Sequence, residues 1–229
     1  FDSLNGVVDE IIVVHDGQCN DKSLEIAKKY KAKIFIQPFV GVAEPHRPFS
    51  YEKASGDWIL QIDADEFLSP KAQQEIPKLV AATNIDAYSF LWPYPVNDGY
   101  IQTGPFCKTI KHCLFRKNKM FMIGIAQEYP RTYGVLQKRS DILLEHKPEY
   151  NNFTLQKFEQ KWIHWAKLQA KQISNIEKAP TFNIPNPSEN KIFRHYLFIR
   201  QHPIWTGLTE AIKFLGIYIT RGILWSGWQ

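Results

Sequence analysis

The sequence predicts an α/β protein, a mostly parallel sheet flanked by helices, followed by a C-terminal helical extension. Three observations carry that expectation. A β-branched run, a helix-period segment and a second apolar run follow one another between residues 11 and 36, the order of a β-α-β unit. The run Trp58-Ile-Leu-Gln-Ile-Asp-Ala-Asp-Glu66 carries no Pro or Gly and stops abruptly in three carboxylates, as a buried parallel strand reaching a ligand edge would. Beyond Phe153, Leu155, Phe158, Trp162 and Trp165 recur at helical spacing on an otherwise polar segment.

Taken in order, Ile11-Ile-Val-Val14 reads as the first buried strand and enters the turn His15-Asp-Gly-Gln-Cys-Asn-Asp21, where Asn20 or Asp21 can cap a helix. The helix spans Lys22 to Tyr30, with Leu24 and Ala27 on one face and lysines opposite. Lys33-Ile-Phe-Ile36 is the next strand, paired in parallel because the crossover is helical. A loop rich in Pro and Gly (Pro38 to Pro48) and a short helix lead to the acidic strand, and Ala87 to Leu91 is a further strand. Residues 92–105, with three Pro and two Gly, form a long loop of the kind that is usually functional. Residues 180–187 read as a Pro-rich linker, and Lys191 to Gln229 as an aromatic, basic, amphipathic stretch. The expected division is residues 1–150 for the α/β unit and 151–229 for the extension. Val7-Val-Asp-Glu10 leads straight into a strand, so the reading expects either a fragment or another segment in the place of a preceding strand.

Composition narrows the class. With 44% apolar and 22% charged residues in 229, the chain holds one good core and is not disordered at large. The formal charge of +5 favours phosphate-bearing ligands or an anionic membrane surface and argues against nucleic acid. Three cysteines, Cys19, Cys107 and Cys113, show no CxxC spacing, so neither a disulfide framework nor a zinc site is expected, and a reducing compartment fits best. No apolar stretch is long enough to span a bilayer. The expectation is a cytoplasmic protein, or one peripheral on the inner face of the cell membrane. The C-terminal stretch suits a helix lying in a membrane interface, against the alternative of a cap on its own domain, and the Trp162/Trp165 stripe suits packing against the sheet.

The acidic strand end carries the chemistry. Side chains two apart on extended chain point the same way, so Asp63 and Asp65 can face one ligand, and two hard oxygen donors suit Mg²⁺ or Mn²⁺. The alternative is a helix N-terminus decorated with acids, because Ser69-Pro70 makes a good N-cap and first-turn pair.

The segments Asp9-Glu-Ile-Ile-Val-Val-His-Asp-Gly17, Asp21-Lys-Ser-Leu-Glu-Ile-Ala-Lys-Lys-Tyr30 and Gly56-Asp-Trp-Ile-Leu-Gln-Ile-Asp-Ala-Asp-Glu66 together resemble family 2 glycosyltransferases of the GT-A (Rossmann-like) fold. The similarity is greatest to the branch that includes lipopolysaccharide core glucosyltransferases. It implies an inverting, metal-dependent enzyme moving a sugar from a nucleotide diphosphate sugar to a glycan or lipid-linked acceptor. By position, the resemblance makes Asp63-Ala-Asp65 the DxD motif, with Asp65 on Mn²⁺ or Mg²⁺ and Asp63 on the ribose or a metal-bound water. It puts Asp16 on the nucleobase, Arg47 on the nucleotide and Arg116, in Leu114-Phe-Arg116, ahead of the acceptor site. Glu128, in Gly124-Ile-Ala-Gln-Glu128, stands for the acid of a His-Glu pair and is the expected general base; His146, in Leu144-Glu-His146, would complete the metal shell. The chain departs from the common Asp-Asp-Gly-Ser-Thr-Asp turn: His15 replaces the first acid and one extra residue precedes Asp21. Pro48 and Gln127 also depart from the pattern.

Two rival readings stand beside this one. A sugar-phosphate nucleotidyltransferase would carry a Gly-rich basic loop after its first strand, and none is visible. A catalytically degenerate sugar-nucleotide-binding scaffold would account for His15, Pro48 and Gln127.

Overall fold

The computed structural model describes residues 1–96, 99–100, 108–148, 155–209 and 212. The chain runs β1 (Ile12–Asp16), α1 (Ser23–Lys29), β2 (Lys33–Gln37), α2 (Arg47–Lys53), β3 (Trp58–Leu60), β4 (Glu66–Leu68), α3 (Pro70–Val80) and β5 (Ala87–Leu91). It continues with β6 (Pro95–Val96), β7 (Gly99–Tyr100), β8 (Ile110–Arg116), β9 (Met120–Ile123), β10 (Arg131–Thr132), β11 (Leu136–His146), α4 (Leu155–Ser174), β12 (Thr181–Phe182) and α5 (Lys191–Gln201). The first unit is the expected one: β1 and β2 pair in parallel, Ile12 opposite Lys33, with α1 burying Ala27. Asp21 caps the helix by accepting the Ser23 amide at 2.8 Å. Glu10, at the foot of β1, accepts from Lys33 and from the Ser55 hydroxyl and Gly56 amide, which ties the start of the unit to the segment entering β3.

The larger sheet has five strands in the order β3-β8-β5-β11-β4. The expectation of a mostly parallel sheet is corrected here: only β5 and β11 run parallel, and β3–β8, β5–β8 and β11–β4 are antiparallel. An apolar run records that a strand is buried on both faces but not which non-local segment lies beside it, and here β8 and β11 supply the partners. β3 is also shorter than the run that predicted it, ending at Leu60.

Helix α3 starts where Ser69 accepts the Ala72 amide at 3.2 Å with Pro70 in the first turn, so the predicted cap exists beside the acids. Its buried face, Ala72, Ile76 and Leu79, packs on Tyr88, Phe90, Leu114, Ile142 and Leu144 of the sheet. Burying each Leu, Ile or Phe contributes about 1.5–3 kcal/mol, which makes this layer the main source of stability. The Tyr88 hydroxyl meets its need inside that core by donating to the Leu79 carbonyl at 3.0 Å.

A second core joins β9 and the loop after it (Phe121, Ile123, Ile125) to Ile173, Ile176, Ile184, Phe193 and Tyr196 of the C-terminal elements. Two expectations change here. The predicted linker at 180–187 supplies strand β12, paired antiparallel with β9, because an edge strand tolerates flanking proline. The Trp stripe is not the buried face expected of packing against the sheet: Trp162 is half exposed and its ring meets Trp165 edge-on at 6.2 Å. Helix α4 is anchored instead at its far end, where Gln169 and Gln172 bond both backbone groups of Ala126 and Ile173 is buried. The long loop holds the β6–β7 ladder. Cys107 and the stretch from Lys213 onward lie outside the described residues.

Candidate active site

Two sheet neighbours converge where β3 gives out. The Gln61 amide still bonds the Cys113 carbonyl at 2.7 Å, after which the chain leaves the ladder and turns, the Glu66 amide bonding the Asp63 carbonyl at 3.0 Å. The turn replaces the extended backbone that was to aim Asp63 and Asp65 the same way, so the two acids take different partners. β4 then pairs antiparallel with the end of β11 and sets His146 opposite Glu66. That register brings His146 Nε2 to 3.2 Å from Asp65 Oδ2. The Trp92 ring stacks on His146 at 4.9 Å and fixes its plane. His146 Nδ1 is buried without a hydrogen-bond partner.

Asp63 sits between two cations. Arg47 Nη2, from the start of α2, donates to Oδ1 at 2.9 Å, and Lys111 Nζ, from β8, donates to Oδ2 at 2.8 Å. Lys111 also donates to both oxygens of Glu66 at 2.6 and 2.7 Å. The Glu66 side chain is fully covered and Lys111 is 7% exposed, whereas the carboxylates of Asp63 and Asp65 each remain 42% exposed. Burial pushes the Asp63 carboxyl up, but Lys111 and then Arg47 outweigh it and leave it below the usual carboxylate range. The His146 hydrogen bond does the same for Asp65. Burial alone would lower the Lys111 ammonium; Asp63 and Glu66 reverse that and hold it charged. Two fixed cations therefore face three carboxylates; burial raises the Glu66 pKa above its ordinary value, while those of Asp63 and Asp65 are lowered.

The residues fit a divalent ion. Cis ligands at about 2.1 Å from an octahedral ion lie about 3.0 Å apart, close to the separation of Asp65 Oδ2 and His146 Nε2. Two protein donors are few, yet such ions are commonly held by one or two side chains plus the phosphates of the substrate.

Asp16, at the end of β1, accepts from the Val40 and Gly41 amides at 2.6 and 2.7 Å and from His46 Nε2 at 2.8 Å. Burial would raise its pKa, but the His46 hydrogen bond and the two amides prevail and lower it. His46 precedes Arg47, so consecutive residues bind Asp16 and Asp63.

Glu128 closes the loop after β9. Gly124 lets that loop dock on the segment before α2: a side chain there would meet Pro45 Cα, Pro48 Cγ and the Pro180 carbonyl at 3.1 Å. The Gln127 amide bonds Glu44 Oε1 at 3.2 Å. The buried Glu128 carboxylate takes Arg131 Nε and Nη2 on Oε1 at 3.1 and 3.0 Å and the Tyr196 hydroxyl on Oε2. A carboxylate has about four lone-pair sites, so Oε2 retains capacity for one more donor.

Arg116 does not join this group. It lies opposite Trp58 at the other end of β8, donating to the Ala82 carbonyl at 3.0 Å with its guanidinium 4.7 Å from the Trp58 ring. Five residues of strand, about 17 Å, separate it from Lys111. Lys111, Glu66, His46 and Tyr196 are the members that sequence reading missed. A lysine inside the run Ile110 to Phe115 was the available signal, since a charge in a buried strand requires a partner.

The family model described as "Glycosyl transferase family 2" matches residues 2–121. Uncharacterized glycosyltransferases of Rickettsia felis and Rickettsia conorii are each 39% identical over 88 residues, 38% of this chain and 30% of theirs. The match thus spans under a third of the length of those relatives. The crystal structure of S. aureus TarS 1-349 aligns with 47% of this chain and 37% of its own at a TM-score of 0.34 and 16% identity.

Proposed function

The chain belongs to glycosyl transferase family 2, and from that premise we propose that it is an inverting, metal-dependent glycosyltransferase acting on a nucleotide diphosphate sugar. The observation that carries this reading is the Asp65–His146 pair at 3.2 Å beside the Arg47–Asp63–Lys111 bridge, just beyond the end of β3. Asp65 and His146 would hold Mn²⁺ or Mg²⁺. Lewis-acid neutralisation of the departing diphosphate is the chemistry such a cation supplies when bound. Arg47 and Lys111 hold Asp63 in one orientation, its open face directed to the donor ribose. Glu128 accepts the acceptor's hydroxyl proton at Oε2 while the acceptor's own oxygen bonds the anomeric carbon and the bond to phosphate breaks. One base and one displacement suffice, with no covalent intermediate. Asp16 would reach the nucleobase by exchanging its loop partners for it.

Thermal-shift measurements with nucleoside diphosphates and their sugars, with and without Mn²⁺, test the donor site. A cognate donor at a hundredfold excess over its Kd should stabilise the chain by about 2.7 kcal/mol, and the shift should require the metal. Asp65→Asn should weaken the metal-dependent part at least tenfold. An equal nucleotide shift in EDTA, or an unchanged one in D65N, would remove the metal from the reading.

The acceptor is proposed to be a glycan or lipid-linked saccharide at the inner face of the cell membrane, in keeping with the resemblance to the lipopolysaccharide core branch. No helix among the described residues is long and apolar enough to cross a membrane. The helical stretch 203–209 exposes Ile204 (80%), Trp205 (63%) and Leu208 (55%), the apolar side expected of a helix seated in an interface. Partitioning onto anionic vesicles, read by co-flotation, should fall at least about a hundredfold in an Ile204→Ser/Trp205→Ser variant, since each large apolar side chain removed forfeits about 1.5–3 kcal/mol of burial. Equal flotation would exclude this helix as the contact.

A further inference from the structure

A second group of donors stands apart from the Asp65–His146 pair, on the turn between β1 and α1. A ring nitrogen of His15, the Cys19 sulfur and a carboxylate oxygen of Asp21 all lie within 4.8 Å of one another. We propose that this turn binds a thiophilic divalent cation of the Zn²⁺ class through His15, Cys19 and Asp21, with the fourth position open to water. The inference rests on this turn alone and stands whether or not the chain transfers sugar.

Donor chemistry points to the ion. Thiolate, imidazole and carboxylate together select Zn²⁺-like ions over Mg²⁺ or Ca²⁺, which take oxygen ligands. One edge already has the right spacing: with Zn–S about 2.3 Å and Zn–O about 2.0–2.2 Å, tetrahedral neighbours lie about 3.5 Å apart, and Cys19 Sγ is 3.3 Å from Asp21 Oδ1; the three donors lie within 4.8 Å of one another, so binding would draw them closer. The flanking ligands are already held. His15 lies in β1, in register with Ile36, and its Nδ1 meets the Gly17 carbonyl at 3.0 Å. A backbone carbonyl on Nδ1 is an arrangement that orients a ligand histidine, with Nε2 as the nitrogen proposed to bind the metal. Asp21 is fixed by the Ser23 amide at 2.8 Å. Cys19 lies between them and is partly open to solvent, which gives an entry path. On binding, the Cys19 thiol gives its proton to water as the sulfur–metal bond forms, and the bond from Cys19 to Asp21 is replaced by shared ligation. The two departures of this turn from the common pattern, His15 and the inserted residue, accompany a nitrogen and a sulfur donor facing Asp21.

Titrating the intact chain with Co²⁺ tests this by absorption. The expected result is a thiolate-to-cobalt charge-transfer band that saturates as a single site, is displaced by Zn²⁺ and not by Mg²⁺, and is retained in Asp65→Asn, since the Asp65–His146 pair has no thiolate to contribute to it. Cys19→Ser should abolish the band without moving the thermal transition, because the side chain fills no core. His15→Gln should weaken cobalt binding at least tenfold. A missing band in the unmodified chain, a band that survives in C19S or disappears in D65N, or unchanged affinity in H15Q would each overturn the proposal.

Discussion

Replacing Glu128 with glutamine should lower turnover by about 10²–10⁴-fold, the range for losing a positioned general base, and leave donor binding intact. The substitution is close to isosteric. Glutamine keeps an oxygen for Arg131 or Tyr196, and Arg131, about half exposed, can turn its freed charge to water. The fold cost is therefore small beside the catalytic loss. The proposed donor site uses a different set of residues, Asp63, Asp65, Arg47 and Lys111, whose hydrogen bonds do not involve Glu128. Steady-state kinetics combined with the metal-dependent thermal shift separates the two effects. Unchanged turnover in E128Q would transfer the base role elsewhere. A parallel loss of donor binding would make Glu128 a structural residue of the loop.

Lys111→Met should be the most damaging single change to stability. It would leave Glu66 fully covered and Asp63 short of one partner, and breaking a buried ion pair from one side costs about 3–5 kcal/mol. Against the 5–15 kcal/mol typical of a folded domain, that is a large share. At about 2–4 °C per kcal/mol for a chain of this size, the midpoint of thermal unfolding should fall by about 6–20 °C. Adding Glu66→Gln to Lys111→Met removes the stranded charge and should restore part of the loss, which a double-mutant cycle reads as coupling. Stability of K111M within 1 kcal/mol of the unmodified chain would mean that Glu66 takes up a proton at little cost and that the lysine is dispensable to the fold.

The parts of the molecule legible in the sequence are those set by short-range pattern. The β-α-β unit, the cap at Ser69 and the strand Ala87–Leu91 each follow from residues within a dozen positions of one another. What stayed hidden is non-local pairing. Nothing near Trp58 states that its neighbour is Arg116, or that the pair runs antiparallel. The meeting of Asp65 with His146 spans 81 residues and depends on the β4–β11 register, which no local run encodes. The resemblance supplied that partner, and it also nominated Arg116, which a strand's length removes from the site. Lys111 escaped for a related reason: its meaning lies in two carboxylates brought to it by β3 and β4, so without the sheet order it is one lysine among many.

The adjacency of His46 and Arg47 links two acids from separate parts of the chain, Asp16 at the end of β1 and Asp63 in the turn after β3. Whatever displaces His46 from Asp16 alters the first turn of the helix that carries Arg47, and a ligand that releases Asp63 from Arg47 acts back along the same peptide bond. With the base at Asp16 and the ribose at Asp63, as proposed for the donor, thermodynamic reciprocity then requires that each change the other's affinity by an equal factor. Two halves of one donor molecule would thus be recognised jointly, and fragments assayed alone should bind more weakly than their sum implies.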